Sequence, residues 1–448
     1  MAIASRRSFT HTPVSLPAAE VHASLARHIL ADGYAFVYDH RRSEGSYLVD
    51  QITGRSYIDM FSFFSSSPLT HNHPKVRTPE FREKMADLAT INPSNSDVYT
   101  VEMAEAVETF ARYAIPADMP HLFFISGGAL AVENALKTAF DWKVRKNLAR
   151  GLGEKGTRVL HFREAFHGRS GYTVSLTNTA DPRKYLYFPK FEWPRALNPK
   201  LRFPLNDSNL AAVEEAERES VAQIEAAFEQ YPDEIACIII EPIQCEGGDN
   251  HFRPEFLRAL RRIADERDAL LIFDEVQTGM GMTGNMWARE TLGVAPDLLV
   301  FGKKAQICGI ASTTRVDEVE RNVFVEGSRI NSTWGGSIAD YARGQRYLEI
   351  ILADDLLANA RSQGEYLLRS LRSLESKGLG ISNSRGLGLL VAFDLPDGAT
   401  RDKLLQDAFD SGMLLLSCGT LSIRMRPHLD VKREVLEEVI ARLERLLA

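Results

Sequence analysis

Charged side chains stand at the ends of short apolar runs in this chain, where they could form a reactive site. LLVFGKK ends in Lys303 and Lys304, and ALLIFDEV carries Asp274 and Glu275 near its end. An unpaired carboxylate at the end of a buried strand is costly, so a cation is expected beside it. A solvated strand end would explain either pair equally well. These residues alone leave both interpretations open.

Two further segments combine small, aromatic and charged residues. SGGALAVENALK (126–137) places two glycines and an alanine before an amphipathic helix, where backbone N–H groups and the helix dipole favour an anion; a tight turn that needs glycine is the alternative. In REAFHGRSGYT, Phe166 could stack on a planar ring and Arg169 could hold a carboxylate. A core aromatic beside a surface arginine explains the same residues, and His167 alone is typical of a hydrogen-bonded structural histidine.

The elements that must position these residues follow from the apolar pattern. Runs rich in β-branched residues predict strands, namely HLFFIS (121–126), TRVLHF (157–162), ACIIIEP (236–242), ALLIFDEV (269–276) and DLLVFG (297–302). Between them lie helical patterns, of which 129–149 is the clearest because Val132, Leu136 and Phe140 fall on one face. Strands alternating with helices predict an α/β fold with a largely parallel sheet, and ligands bind beyond the carboxyl ends of such strands.

The pattern changes after about residue 336. A long helical stretch is followed by short strands within 386–395, 412–419 and 421–427, and then by a closing helix. SYLVDQITGRSYIDMFS, near the start, predicts a hairpin that turns at Thr53 and Gly54. We therefore expect three parts. They are an N-terminal segment (1–75) packed with the small domain, a large domain (76–335), and a small C-terminal α+β domain (336–448).

Composition excludes several classes of function. The net charge is −7 over 448 residues, so no overall field favours nucleic acid or an anionic membrane. No apolar run approaches the roughly 20 residues of a membrane span. The four cysteines lack CxxC spacing, which predicts free thiols, a reducing cytoplasmic compartment and no metal site. Arg6 and Arg7 faintly resemble a transit peptide, but a frayed N-terminal arm explains them better.

Two segments resemble nucleotide-binding motifs but do not meet the requirements of those motifs. The aliphatic run before Asp274 resembles the magnesium strand of P-loop ATPases, yet the chain contains no GxxxxGK[ST]. GMGMTG (279–284) matches GxGxxG, but it lies several residues beyond its strand and late in the chain. We interpret it as a loop, and a dehydrogenase is disfavoured.

One cofactor needs the whole set of candidate residues. Pyridoxal 5'-phosphate (PLP) requires an anion site, a ring clamp, an acidic partner for its pyridinium nitrogen and an amine for covalent attachment. The sequence resembles the PLP-dependent ω-aminotransferases, the class III group of fold type I, over nearly its whole length. The resemblance is carried by SYLVDQITGRSYIDM, FFISGGALAVENALK, AFHGRSGY, IIIEPIQCEGG, LLIFDEVQTGMGMTG, PDLLVFGKK, NSTWGG and IRMRPHL.

The resemblance implies roles for individual residues. Asp274 matches the partner of the pyridinium nitrogen, and Lys303 matches the lysine that bonds the cofactor. The other implied cofactor-binding residues are Gly128, Ala129, Phe166, His167, Val276, Gln277 and Thr333, and the implied substrate-binding residues are Arg169, Glu246, Arg424, Asn331 and Phe64. Thr333 matches a threonine that reaches the phosphate from the partner subunit, so a homodimer with shared active sites is implied.

The resemblance also decides between the two lysines. The family's lysine stands six residues after the aspartate of a Pro-Asp pair, which here is Asp297 and points to Lys303. On an extended segment neighbouring side chains face opposite ways, so Lys304 is expected in a supporting or solvated role.

The implied reaction moves an amino group in two halves. Within the group, the sequence is most similar to the L-lysine 6-aminotransferases, which implies transfer from L-lysine to 2-oxoglutarate. Arg169 would hold the carboxylate of lysine, Arg424 would hold that of glutamate, and Glu246 would neutralise Arg424 while lysine is bound. 4-Aminobutyrate and ornithine remain alternative donors, and a non-catalytic PLP-binding protein is disfavoured by the intact Lys303 and Asp274. Cys308 and His428 depart from the common family pattern and affect only the expected loop shape.

Overall fold

The computed structural model describes residues 13–448, so the arm that carries Arg6 and Arg7 lies outside the described part of the chain. The strands are β1 Tyr47–Val49, β2 Ser56–Asp59, β3 His121–Ile125, β4 Arg158–Phe162, β5 Arg195–Ala196, β6 Ile235–Ile240, β7 Ile243–Gln244, β8 Asn250–His251, β9 Leu270–Asp274, β10 Leu298–Phe301, β11 Cys308–Ser312, β12 Ser382–Leu387, β13 Leu390–Asp394, β14 Met413–Leu414, β15 Leu416–Cys418 and β16 Ser422–Met425. The helices are Val21–Ala26, Pro79–Ala89, Val101–Tyr113, Gly128–Ala149, Thr173–Leu176, Asp207–Gln230, Pro254–Glu266, Ala288–Leu292, Ile338–Ala353, Leu356–Ser376, Gly398–Asp410 and Arg433–Leu447.

A seven-stranded sheet forms the centre of the molecule, in the order β3-β11-β10-β9-β6-β4-β5. The pairs from β10 through β9, β6 and β4 to β5 are parallel, whereas β11 is antiparallel to both β10 and β3. The prediction of an α/β fold with a largely parallel sheet is confirmed, and all five predicted strands are present. The glycine-containing β11 was not among the predicted strands.

Alternating residues of the central strands bury opposite faces of this sheet. In β6, Ile239 packs in the cluster that contains the helix Gly128–Ala149, whereas Ile238 and Ile240 pack in the cluster that contains the helix Pro254–Glu266. All six residues of β6 are buried. A strand covered on both faces must be apolar at every position, which is why the sequence shows continuous apolar runs instead of alternation.

Two smaller sheets belong to the ends of the chain. β1 and β2 form the predicted hairpin, and β14 joins β2 in parallel, so the N-terminal segment pairs with a strand from the C-terminal part. β12, β13, β16 and β15 form a four-stranded antiparallel sheet. The largest hydrophobic cluster contains residues of all three predicted parts, among them Met60, Trp287 and Leu390. The boundaries at 75 and 335 stay a prediction.

None of the helices within residues 13–448 combines the length and the apolar character needed to cross a bilayer.

Candidate active site

The carboxyl ends of the parallel strands open onto one large cavity. It encloses about 720 Å³, and its lining includes twelve of the fourteen predicted site residues. These twelve are Phe64, Gly128, Ala129, Phe166, His167, Arg169, Glu246, Asp274, Val276, Gln277, Lys303 and Arg424. Residues from five strand ends and from the C-terminal sheet therefore meet at the edge that parallel topology predicts.

Asp274, the last residue of β9, is buried and pairs with His167. Its Oδ2 lies 2.8 Å from Nδ1 of His167, and its Oδ1 accepts a hydrogen bond from the Val276 N–H at 3.1 Å. Burial opposes a charge on His167, but Asp274 outweighs it and raises the pKa of His167 above its ordinary value. The contact with Asp274 therefore stabilises the protonated form of His167 at the cavity wall.

Glu241 adds a second acid behind this pair. Its carboxylate accepts the backbone N–H groups of Phe166 at 2.9 Å and Cys245 at 3.2 Å. Burial, reinforced by the charge of Asp274, raises the pKa of Glu241 to about 7. This acid fixes the backbone that carries Phe166 and was not singled out from the sequence, although it ends the apolar run of β6.

Lys303 and Lys304 point to different places. Nζ of Lys303 lines the cavity and donates to the Phe64 carbonyl at 2.9 Å. Lys304 is buried, and its Nζ contacts the Ser65 hydroxyl at 2.9 Å and the carbonyls of Gln277 and Ser65 at 2.9 and 3.2 Å. A solvated role for Lys304 is wrong, since its side chain ties two loops together.

The reason predicted for that divergence was also wrong. Lys303 has a φ of 50° and begins a 3-10 turn, Lys303–Ala305, so the pair is not on an extended segment. Burial, followed by the positive charge of Arg424, lowers the pKa of Lys303 to about 8. Burial and the neighbouring Lys303 lower the pKa of Lys304 well below its ordinary value. Lys303 is thus the more accessible amine, with an unusually large neutral fraction near pH 8.

The carbonyls that receive both lysines come from a left-handed turn, Ser62–Ser65. All four residues have positive φ, between 39° and 65°. Such a conformation costs about 1–2 kcal/mol per residue, so surrounding contacts must hold it. Asp59 does so at one end by accepting the Ser62 N–H at 2.7 Å, and Lys304 does so at the other end through Ser65.

The anion site lies at the start of the helix Gly128–Ala149. Its N-cap residue, Gly127, has no side chain that could cap the first N–H groups, which suits them to bind a ligand. Gly127 has a φ of 103°, which favours glycine, and a Cβ added at Gly128 would lie 3.2 Å from Cγ1 of Val276. The small residues therefore keep a cradle open beside Val276. Together with Asp274, Phe166 and Lys303, this cradle fits the phosphate, ring and aldehyde of PLP.

An ion pair lies at the other end of the cavity. Oε2 of Glu246 contacts Nη2 of the buried Arg424, and Nη1 of Arg424 donates to Oε1 of Gln277 at 3.2 Å. Arg426 Nε also donates to this oxygen at 3.3 Å. Because guanidinium groups only donate, the amide oxygen of Gln277 faces the arginines and its NH₂ group is left for an acceptor in the cavity. That orientation suits the predicted contact with the ring hydroxyl of PLP.

Two predicted residues, Asn331 and Thr333, do not reach this cavity. Both are exposed on the segment that precedes the helix Ile338–Ala353. Their predicted roles stay predictions. In the turn Ser62–Ser65, the predicted residue Phe64 lines the cavity, and the adjacent Phe63 packs against Phe61.

Lys184 is another cavity residue that the sequence analysis missed. It ends a 3-10 turn, Pro182–Lys184, and its Nζ contacts Oε1 of Glu246. The segment around it has no regular periodicity, so no sequence signal marks it. Gln306 was missed as well, and its side chain donates to the Ser66 carbonyl at 2.7 Å.

Several other sequence features have structural explanations. Glu275 points away from the cavity and accepts the N–H groups of Ala288 and Arg289 at 2.6 and 3.0 Å. GMGMTG forms a loop, as predicted, and a Cβ at Gly279 would lie 2.4 Å from the Trp287 ring. His428 is fully buried, with its ring 5.2 Å from that of His71.

Comparison with known proteins gives one consistent result. The family model described as aminotransferase class-III matches residues 29–447. An L-lysine-epsilon aminotransferase of Mycobacterium tuberculosis is 51% identical over 424 residues, which are 94% of each chain. Another from Amycolatopsis lactamdurans is 48% identical over 442 residues, or 97% of each chain. The solved structure of a lysine aminotransferase from M. tuberculosis superposes with a TM-score of 0.94 at 50% identity, covering 96% of this chain and 99% of the other.

Proposed function

Because this chain belongs to the class III aminotransferases, we propose that it transfers the ε-amino group of L-lysine to 2-oxoglutarate. The products are 2-aminoadipate 6-semialdehyde and L-glutamate. The observation that carries this proposal is a cavity with two arginines, Arg169 and Arg424. Within residues 13–448, Glu246 pairs with Arg424, and no carboxylate pairs with Arg169. The relatives named L-lysine-epsilon aminotransferase support lysine as the donor.

PLP is the cofactor of this enzyme. When bound, it supplies an electron-withdrawing ring that stabilises negative charge at the substrate carbon. The helix start at Gly128 and Ala129 would hold its phosphate, and Phe166 and Val276 would cover the two faces of its ring. The carboxylate of Asp274 would keep the pyridinium nitrogen protonated, which is what makes the ring withdraw electrons.

Lys303 has two tasks in this proposal. Its Nζ would hold the cofactor covalently between turnovers, and as a free amine during turnover it would accept a proton from the substrate carbon. A pKa near 8 suits both tasks, since an amine that stayed fully protonated could neither bond nor accept a proton. The Phe64 carbonyl, 2.9 Å away, orients Nζ toward the cavity.

The substrate end of the cavity explains how one site takes differently charged substrates. Arg169 is exposed and would bind the distal carboxylate of lysine. Arg424 would otherwise be an unpaired buried cation beside the aliphatic chain of lysine, and Glu246 neutralises it. With glutamate or 2-oxoglutarate, the α-carboxylate would replace Glu246 on Arg424.

We also propose a cytoplasmic homodimer with shared active sites. The exposed positions of Asn331 and Thr333 support it, because both would have to act in a partner's cavity. Large exposed aromatics, Tyr99, Tyr187 and Trp334, favour a covered surface. The four cysteines are free thiols, which supports a reducing compartment.

The test is a donor panel. Purified enzyme with PLP and 2-oxoglutarate is given L-lysine, 4-aminobutyrate, L-ornithine or no donor, and glutamate formation is followed. We expect lysine to give the highest kcat/KM. Rapid turnover of 4-aminobutyrate or ornithine without lysine would overturn the donor assignment while keeping the family. Failure of every donor, with PLP bound, would identify a non-catalytic PLP-binding protein.

A further inference from the structure

The carboxylate of Glu246 contacts two cations at once. Its Oε2 contacts Nη2 of Arg424, and its Oε1 contacts Nζ of Lys184. All three side chains are largely shielded from water, with exposed fractions of 23% for Glu246, 18% for Lys184 and 2% for Arg424. Burial alone would raise the pKa of Glu246, but Arg424 and Lys184 outweigh it and lower that pKa. Glu246 is therefore a shared anion between two cations.

Lys184 reaches this position from a separate part of the chain. The turn Pro182–Lys184 begins at Asp181, whose side chain accepts the N–H of Arg183 at 3.1 Å, and proline fixes its first residue. From there Nζ of Lys184 extends over the ring of Phe166, 5.7 Å from its centroid. Lys184 and Arg424 thus approach Glu246 from different elements, so either contact can break while the other remains.

Arg424 has a hydrogen-bond donor that Glu246 does not use. Its Nη2 contacts Glu246, but its Nε is buried and has no hydrogen-bond partner among residues 13–448. Nε and Nη2 form the edge of a guanidinium that binds a carboxylate with two parallel hydrogen bonds. An incoming carboxylate can accept from both donors, whereas Glu246 accepts from one. Replacement of Glu246 by a substrate carboxylate on Arg424 is therefore favoured, provided that Glu246 keeps another cationic partner.

We infer that Lys184 is a positioning residue for the dicarboxylate half of the reaction, because it keeps Glu246 paired when a substrate carboxylate takes Arg424. This inference rests on the proposed function. Before exchange one carboxylate is shared by two cations; after exchange each cation has its own carboxylate. Without Lys184, Glu246 would have to leave Arg424 as an unpaired, largely buried anion, which is costly. The lysine half-reaction keeps the Glu246–Arg424 pair and does not depend on Lys184 in this way.

The experiment measures the two half-reactions separately in the PLP-loaded enzyme. The absorbance of the cofactor is followed after mixing with L-glutamate alone or L-lysine alone, for the unaltered enzyme and for Lys184→Met. We expect kcat/KM for glutamate to fall at least ~10-fold and that for lysine to change less than ~3-fold. Lys184→Arg should restore the glutamate value, because it returns the charge.

Arg183→Met is the matched control, because it removes a cation from the same turn. The Arg183 side chain contacts Asp181 and is 87% exposed. This variant should leave both kcat/KM values unchanged. Equal losses in both halves for Lys184→Met, or no loss with glutamate, would overturn the inference. If the unaltered enzyme rejects lysine but reacts with glutamate, only the proposed donor fails, and the glutamate comparison still decides the role of Lys184. If the unaltered enzyme does not react with glutamate, the proposed acceptor and this inference both fail.

Discussion

The two ends of the cavity are held together in different ways. At the cofactor end, Asp274 ends β9 and Lys303 follows the neighbouring parallel strand β10, so their positions are set by the sheet. At the substrate end, Glu246, Arg424 and Lys184 come from separate elements and are joined by ion pairs. A sheet holds its residues in one arrangement, whereas ion pairs can exchange partners. The rigid end suits a cofactor that stays, and the exchangeable end suits substrates that alternate.

The largest effect is expected from Lys303. Lys303→Ala should lower turnover at least ~10⁴-fold, because it removes both the covalent attachment and the amine that accepts the proton. Borohydride treatment should then trap no PLP on the protein, as judged by mass spectrometry. Lys304→Met is the neighbouring control and should still trap PLP. If Lys304→Met loses the adduct and Lys303→Ala keeps it, the two lysines have been assigned the wrong way round.

A smaller loss of activity is expected when Asp274 is replaced. Asp274→Ala should reduce kcat by ~10³-fold, because the pyridinium nitrogen loses the carboxylate that keeps it protonated. The measurement is steady-state kinetics with saturating PLP. Glu275→Gln changes the adjacent acid, which caps the helix Ala288–Leu292, and should lower the melting temperature with little change in kcat. Comparable kcat values for the two variants would contradict the separation of their roles.

Replacing Glu246 tests directly whether the ion pairs at the substrate end exchange partners. Glu246→Ala should lower kcat/KM for lysine by ~10–100-fold, because an unpaired Arg424 would then face the aliphatic chain, and should affect glutamate less. Single half-reactions followed by cofactor absorbance give both values. Lys184→Met is expected to change the ratio in the opposite direction. Equal loss in both halves would argue against the switch.

The smallest effect concerns pH. With a pKa of about 8, neutral Lys303 increases about tenfold between pH 7 and pH 9 and then levels off. The rate of PLP uptake by the cofactor-free enzyme should rise and reach a plateau accordingly, because only the neutral amine attacks the aldehyde. An ordinary lysine would still be gaining neutral fraction at pH 10. A rate that keeps rising to pH 10 would show that Lys303 is not perturbed.

Much of the cofactor end could be predicted from the sequence. Apolar runs give the strands, and parallel topology brings their carboxyl ends together, so Asp274, Phe166 and Gly128 were expected to meet before any contact was known. The resemblance to a known family then supplied their roles, and the family is confirmed. The assigned roles themselves await the experiments above.

Other features depend on contacts between distant segments. The left-handed turn at Ser62–Ser65 and the carbonyls it offers to both lysines come from a segment about 240 positions away. The contacts of Lys184 with Glu246 likewise join an irregular loop to another loop.

The sequence by itself determined which residues end the buried strands, because a strand covered on both faces must be apolar until it leaves the sheet. Only the tertiary structure decided where the side chains beyond those ends point. Their directions depend on local backbone dihedrals, such as the positive φ of Lys303, and on partners far along the chain. Periodicity carries no information about either.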